Sequence, residues 1–259
     1  MLDRIQKQEG FLQSVNPLLK LVSLITVVLT MLLFLDPWTP LLIYIMTFSV
    51  IVLLGKVPIK LVLLTTIPFF LFGLSFIWIY TVFPSERGQT ILFTVLGMPI
   101  ALENLMHGIS LGLRSVVFGT WSLLFIFTTE PTALLLSMVQ HAKLPPKFGY
   151  GLMVAYRLLP TFKEELEQLR LSYRLRGITE KKTLRGAVEQ TRRYSIPLLA
   201  SAIRKSTRTA IAMESKGFTG DRNRSYYRTI HWGKPDILYC VLLVTSAVLI
   251  FIVREHYFL

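Results

Sequence analysis

Residues 147–177 read KFGYGLMVAYRLLPTFKEELEQLRLSYRLRG, and their reading decides the fold. Large apolar side chains recur in steps of three or four, at Phe148, Leu152, Tyr156, Leu159, Phe162, Leu166, Leu169 and Tyr173, the period of a helix with one apolar face. Lys163, Glu164, Glu167 and Arg170 stand on the polar face, where a Glu167–Arg170 pair adds modest support. The helix begins after Pro145 and Pro146, is bent by Pro160, and stops at Arg176-Gly177, where glycine suits a C-cap. A second helix, over about 184–216, repeats the design: it contains Pro197 and ends in Lys216-Gly217. Ala200, Ala202, Thr209, Ala210 and Ala212 give it a face of small residues that lets two helices cross closely.

Outward from this pair the chain changes character. Residues 141–235 hold 20 of the 28 Lys and Arg with 7 acids, a local charge of +13 that equals the net charge of the whole 259-residue chain. The rest is neutral and apolar: 53% of all residues are hydrophobic and 17% charged, against about 25% charged in an ordinary soluble domain. With a mean hydropathy of +0.55 this reads as an integral membrane protein, all-α and polytopic. Apolar runs approach the roughly 20 residues a bilayer requires at 18–35, 41–54, 61–82, 105–127 and 237–253, giving five spans of which the second is short. Asp36, Pro37, Trp38 and Pro40 turn the chain between the first two. Residues 83–103 carry Pro84, Gly88, Gly97 and Pro99 and read as an exposed loop with a partial hairpin. The domains are then 1–128, four membrane helices; 129–235, the basic segment; and 236–259, the last membrane helix.

Cations collect on the cytoplasmic side of a membrane protein. Arg4, Lys7 and Lys20, then Lys56 and Lys60, then the +13 block fall on one side, with Arg87 the clear cation opposite. The N-terminus and residues 129–235 are therefore expected inside a prokaryotic cell membrane and the C-terminus outside. Residues 1–17 lack the apolar core of a removable signal peptide. Arg114, inside the fourth span, has two readings: a partner in the helix bundle or another subunit, or a side chain reaching the headgroups.

Catalytic chemistry is scarce. There is no phosphate-binding G-x-x-x-x-G-K-[ST] loop, no H-E-x-x-H and no Cys-x-x-Cys, and Cys240 is the lone cysteine. His107, His141, His231 and His256 are far apart, and Glu164, Glu165 and Glu167 read as a solvated helix face. No cofactor or metal site is expected, and energy for any transport must come from another subunit. A nucleic-acid binder is disfavoured because the apolar stripes of the basic block ask for protein or membrane partners. A self-contained permease would need a polar lining that the spans lack apart from Arg114.

Several segments, in order, resemble one family: Asn16-Pro17-Leu18-Leu19-Lys20, Thr128-Thr129-Glu130-Pro131, Leu144-Pro145-Pro146, Tyr156-Arg157-Leu158-Leu159-Pro160 with Glu164-Glu165, Ser172-Tyr173-Arg174-Leu175-Arg176-Gly177 and Ala212-Met213-Glu214-Ser215-Lys216-Gly217-Phe218. The chain is similar to the transmembrane T component of energy-coupling-factor transporters, prokaryotic ABC-type importers of vitamins and metal ions. The resemblance implies a non-catalytic subunit whose two long cytoplasmic coupling helices cross. Their endings would bind two ATPase subunits or domains through Arg174, Arg176 and Gly177 and through Glu214, Ser215, Lys216 and Gly217, with Arg208 as a helper. The stripe from Phe148 through Leu152, Tyr156, Leu159, Phe162, Leu166 and Leu169 would pack on the second helix, carry a small substrate-binding membrane subunit, or do both. The implied cargo is a B vitamin, thiamine-related for example, or a cobalt or nickel ion. Leu175 replaces the family's small residue and Ser215-Lys216 its Ala-Arg, and a lysine cannot form a two-pronged contact with a carboxylate.

Overall fold

A computed structural model describes residues 10–34, 36–83, 90–95, 98–178 and 184–257. The expectations for Arg4, Lys7, Leu35, Pro84, Arg87, Gly88 and Gly97 lie outside these residues. The chain divides into two compact units, residues 1–137 with 230–259 and residues 138–229.

The first unit holds α1 (Phe11–Ser14), α2 (Pro17–Leu33), α3 (Trp38–Leu53), α4 (Ile59–Val82), a hairpin of β1 (Ile91–Val95) and β2 (Met98–Ala101), α5 (Leu102–Thr128) and α9 (Lys234–Tyr257). A short helix, α6 (Pro131–Gln140), carries the chain out of it. All five expected spans are helical, and the protein is an all-α polytopic membrane protein. Helices α4, α5 and the 20 residues Lys234–Val253 of α9 are long and apolar enough to cross a bilayer. With 17 and 16 residues, α2 and α3 are shorter, roughly 25 Å at 1.5 Å per residue.

Helix α5 is the hub: 56% of its apolar window is buried, against 17% for α4 and 11% for α9. It packs on α4 through glycines. A Cβ on Gly73 would lie 2.7 Å from the Gly112 carbonyl oxygen, and one on Gly112 would lie 2.8 Å from that of Gly73. Without side chains at this crossing the backbones approach until van der Waals contact replaces the hydrophobic drive that lipid does not supply. The remaining circumference of α4, with Leu64, Phe70, Leu71 and Trp78 exposed, faces outward as lipid-facing surface does.

The tightest core gathers at one end of this bundle, where Leu12, Val15, Ile51, Val57, Val62, Leu124, Phe127 and Tyr239 bury one another. There the Asn16 side chain accepts from the Leu18 N–H at 3.0 Å, an N-cap, and Pro17 occupies the first helical position. Toward the other end Arg114, 8% exposed, donates to the Phe34 carbonyl with the Asp36 carboxylate nearby, so the bundle-interior reading of this charge holds. Ser110 Oγ donates to the Asp36 carbonyl at 3.1 Å, and the Asp36 side chain caps Thr39 at 2.9 Å. Arg114 and Ser110 thus seat the α2–α3 turn well inside the length of α5.

The partial hairpin expected near residue 90 forms, with Ile91 opposite Ala101 and Val95 opposite Met98. Its base is tied to the first turn of α5, where Thr90 Oγ1 donates to Glu103 at 2.5 Å. Helix α6 was not anticipated: PTALLLSMVQ has too few polar residues to display a period.

The second unit consists of α7 (Pro146–Leu175), α8 (Leu184–Ser215) and the segment that follows. Pro160 and Pro197 stand inside helices that continue through them, each deleting one backbone hydrogen bond.

Candidate functional site

Three contacts fix how α7 and α8 meet. Tyr173 and Tyr194 lie with ring centroids 5.7 Å apart, Glu165 meets Ser201 at 3.1 Å and Lys205 beside it, and Tyr150 meets Phe218 at 5.5 Å. As one number rises the other falls, so the helices run antiparallel. The inner face of α7 is set by this pairing. Phe162, Glu165, Leu166, Leu169 and Tyr173 turn toward α8 and are half-buried, while Phe148, Leu152, Tyr156 and Leu159 are exposed. The single stripe read from sequence therefore divides near Pro160. Its second half packs on α8, and its first half is an open apolar face.

Electrostatics reinforces the packed half. Lys205 and Ser201 both donate to Glu165, and the Lys205 hydrogen bond holds that carboxyl below its ordinary value. This corrects the reading of Glu165 as part of a solvated face; Glu164 and Glu167 do remain exposed. The expected Glu167–Arg170 pair does not form, because the Arg170 guanidinium lies over the Tyr194 ring at 5.9 Å while Arg193 lies over Tyr173 at 5.8 Å. Two arginines and two tyrosines interleave at this crossing.

Both helix endings adopt one geometry. In the first, Gly177 has φ +73°, its N–H donates to the Arg174 carbonyl at 3.0 Å, and the Ile178 N–H donates to the Tyr173 carbonyl at 3.1 Å. In the second, Gly217 has φ +83°, its N–H reaches the Glu214 carbonyl at 2.9 Å, and the Phe218 N–H reaches that of Met213 at 3.0 Å. Each is a Schellman motif, which requires the left-handed backbone that glycine adopts without strain. In both, the apolar flank is half-buried (Tyr173 and Ile178; Met213 and Phe218) and the cation is exposed. The side chains of Arg174, Arg176 and Lys216 make no hydrogen bond or ion pair among the described residues. Glu214 and Ser215 are also exposed, Ser215 Oγ turning back to the Ala212 carbonyl at 3.1 Å.

The structure does not bring the two endings together. Tyr150, level with Phe218, and Tyr173, just before Arg176, are separated by roughly 35 Å of helix, so the cations project from opposite ends of the pair. Near the Lys216 end the helices part around a cavity of about 350 Å³ lined by Gly151, Val154, Thr209, Ala210, Met213 and Phe218. Arg224 closes that end, its guanidinium 4.9 Å from the Tyr150 ring and 5.0 Å from that of Phe218. Arg222 donates to the Lys143 carbonyl at 2.8 Å and Gln140 to that of Arg228 at 2.9 Å, so the segment after α8 is strapped onto the end of α6 and the connection that leads into α7.

The pattern of the CbiQ family, described as cobalt transport protein, matches residues 8–227. The chain belongs to that family. The match takes in α7, α8, both endings and the Arg224 strap. Among similar curated proteins, the energy-coupling factor transporter transmembrane protein EcfT of Bacillus subtilis is 29% identical over 222 residues, covering 78% of this chain and 82% of that protein. Its namesake in Streptococcus thermophilus is 27% identical over 202 residues, covering 72% and 76%. That of Lactococcus lactis is 26% identical over 172 residues, covering 63% of this chain and 65% of that protein, just under two thirds.

Sequence reasoning overlooked two features of this CbiQ-family unit. Ile196, Leu199 and Ile203 form an exposed apolar stripe on α8, recognisable by its steps of three and four. Arg224 is the other: two of its ring partners, Phe218 and Tyr226, are near it in sequence, but the third, Tyr150, is too distant in the chain to be foreseen.

Proposed function

We propose that this chain is the transmembrane coupling component of an energy-coupling-factor ABC importer. The observation that carries the proposal is the matched pair of Schellman endings, each presenting an unengaged cation, at opposite ends of one antiparallel helix pair. Two cations held at opposite ends of a common support suit two similar sites on a dimeric partner. The names of the relatives supply the nature of that partner: an energy-coupling factor, hence ATPase subunits or domains, with Arg174, Arg176 and Gly177 docking on one and Glu214 to Gly217 on the other. The chain itself is non-catalytic in this reading. The open apolar faces, Phe148 to Leu159 on α7 and Ile196 to Ile203 on α8, are the platform for a small substrate-binding membrane subunit.

On ATP binding the two ATPase partners draw together, carry α7 and α8 with them, and the movement reaches the substrate subunit. In this reading the N-terminus and residues 129–235 are cytoplasmic and the C-terminus is outside, an orientation that the distribution of Lys and Arg supports. The cargo, a vitamin such as a thiamine-related compound or a metal ion, is chosen by the substrate subunit. Engagement of Arg114 by the Phe34 carbonyl inside the bundle supports a packing role for this charge over the lining of a substrate path.

The test is purification in mild detergent of the unaltered chain and of an Arg176→Glu, Lys216→Glu variant, with bound proteins identified by mass spectrometry. The unaltered chain is expected to bring ATPase subunits and a small membrane protein, and the variant to lose the ATPases while remaining in the membrane. ATPases that stay bound after both reversals would sink the proposal.

A further inference from the structure

The chain leaves the first unit after Ser137 and re-enters it at Ile230. Within the first unit, both passages are tied to one residue near the beginning of the chain. Ser137 Oγ donates to Asn16 Oδ1 at 2.6 Å, and the Asn16 N–H donates to Asp236 Oδ1 at 2.6 Å. The other carboxylate oxygen of Asp236 accepts from the Gly233 N–H at 2.8 Å, closing the first turn of α9. One turn along α2, Lys20 Nζ donates at 2.7 Å to the carbonyl of Thr128, the last residue of α5, and its charge interacts with Asp236. The group is almost sealed: Asn16 is 2% exposed, Lys20 1%, Ser137 0% and Asp236 4%. Ser23 and Tyr239, 2.9 Å apart oxygen to oxygen, continue it into the bundle.

Apolar residues of similar size hold helices together at least as well as buried charged and polar groups do, so cohesion alone does not account for this set. What a polar set adds is a fixed register. Asn16 is held to the outgoing chain through its side chain and to the returning chain through its backbone, and Lys20 adds the helix that leads into α6. A pull on either connection is therefore delivered to α2, α5 and α9 together. Without these bonds the short stretches 129–137 and 230–236 would absorb it.

We infer that Asn16, Lys20, Ser137 and Asp236 are positioning residues forming the joint through which movement of α7 and α8 enters the membrane helices. The inference rests on the coupling reading above. It assigns the Asn16-Pro17-Leu18-Leu19-Lys20 segment a part in transmission besides starting a span.

The test uses the complex purified with its partner subunits. The exposed lone cysteine is replaced (Cys240→Ser), and spin labels at exposed Thr26 on α2 and Ser172 on α7 report their separation without nucleotide and with ATP plus vanadate. Two variants are compared: Ser137→Ala, which releases only the outgoing connection, and Lys20→Met with Asp236→Asn, which removes both buried charges at once and so leaves neither unpaired. Both are expected to keep their partners and ATP hydrolysis while the nucleotide-driven change in separation falls at least about twofold. A change as large as that of the unaltered complex overturns the joint alone. If the unaltered chain brings no ATPase, the coupling reading falls and the joint with it. Should the double variant lose its partners, Ser137→Ala decides by the same criterion.

Discussion

Glu165 on α7 and Lys205 on α8 form the one ion pair between these helices among the described residues, and Ser201 donates to the same carboxylate oxygen. The Lys205 hydrogen bond lowers the Glu165 pKa, so its contribution to the folded unit is complete above the ordinary glutamate value of about 4.3 and is lost as pH falls through the lowered one. Acidification below about pH 4 is expected to loosen the helix pair. Glu165→Gln should weaken it by about 0.5–1 kcal/mol at neutral pH, a figure reduced for partial solvent exposure, and should flatten the acid dependence. Thermal unfolding in detergent between pH 3 and 7 checks both.

The two endings depend on backbone conformation rather than on space, for a Cβ on Gly177 or Gly217 would meet nothing within 4 Å. Alanine at either position is expected to cost about 1–2 kcal/mol locally by forcing a left-handed conformation. Asparagine, which tolerates that region, should cost less. Under the coupling reading, ATPase co-purification follows the order Gly, Asn, Ala, Val at each site. Equal recovery from all four would mean that the endings are stop signals only.

Lysine at 216 offers a point charge where arginine would offer a planar fork. Lys216→Arg is expected to tighten ATPase association, visible as slower dissociation and greater salt tolerance of the complex. A weaker complex would show that the partner site is shaped for lysine.

Arg224 stacks against Tyr150 and Phe218, and Phe218 is itself the residue that completes the second ending. Arg224→Ala is expected to release the segment after Gly217, at about 0.5–2 kcal/mol, and to speed tryptic cleavage at Lys216 several-fold. Arg224→Lys should fall between, since a lysine keeps the charge and loses the planar stacking.

The α4–α5 crossing leaves no room for a side chain at Gly73 or Gly112. Gly112→Val would drive side-chain atoms into the Gly73 carbonyl and into Ile77, already 3.0 Å from a bare Cβ. A loss of about 1–3 kcal/mol or more is expected, read as a lower thermal midpoint in detergent.

Sequence and structure agree most closely where one local rule acts. The spans are legible as apolar runs, and the ends of α7 and α8 because glycine after a cation stops a helix within a residue of where it was read. Pairing is not local, and there the reading ran out. Which half of the Phe148–Tyr173 stripe would be covered depends on the register with α8, fixed by Tyr173 meeting Tyr194 and Glu165 meeting Lys205. Lys20 was counted with the flanking cations, and nothing linked it to Asp236, because 215 residues of chain separate groups that the fold buries together. Arg114 was visible as an anomaly, but its partner, a backbone carbonyl, leaves no mark in the sequence.

The short α2 and α3 have a consequence for the surrounding lipid. A bilayer core is about 30 Å thick, roughly 5 Å more than either helix supplies, whereas the 24 residues of α4 exceed it. Acyl chains beside α2 or α3 are therefore expected to compress more than those beside α4. Such a protein carries its own thickness gradient, and its neighbours in the membrane are selected by chain length before any side chain touches them.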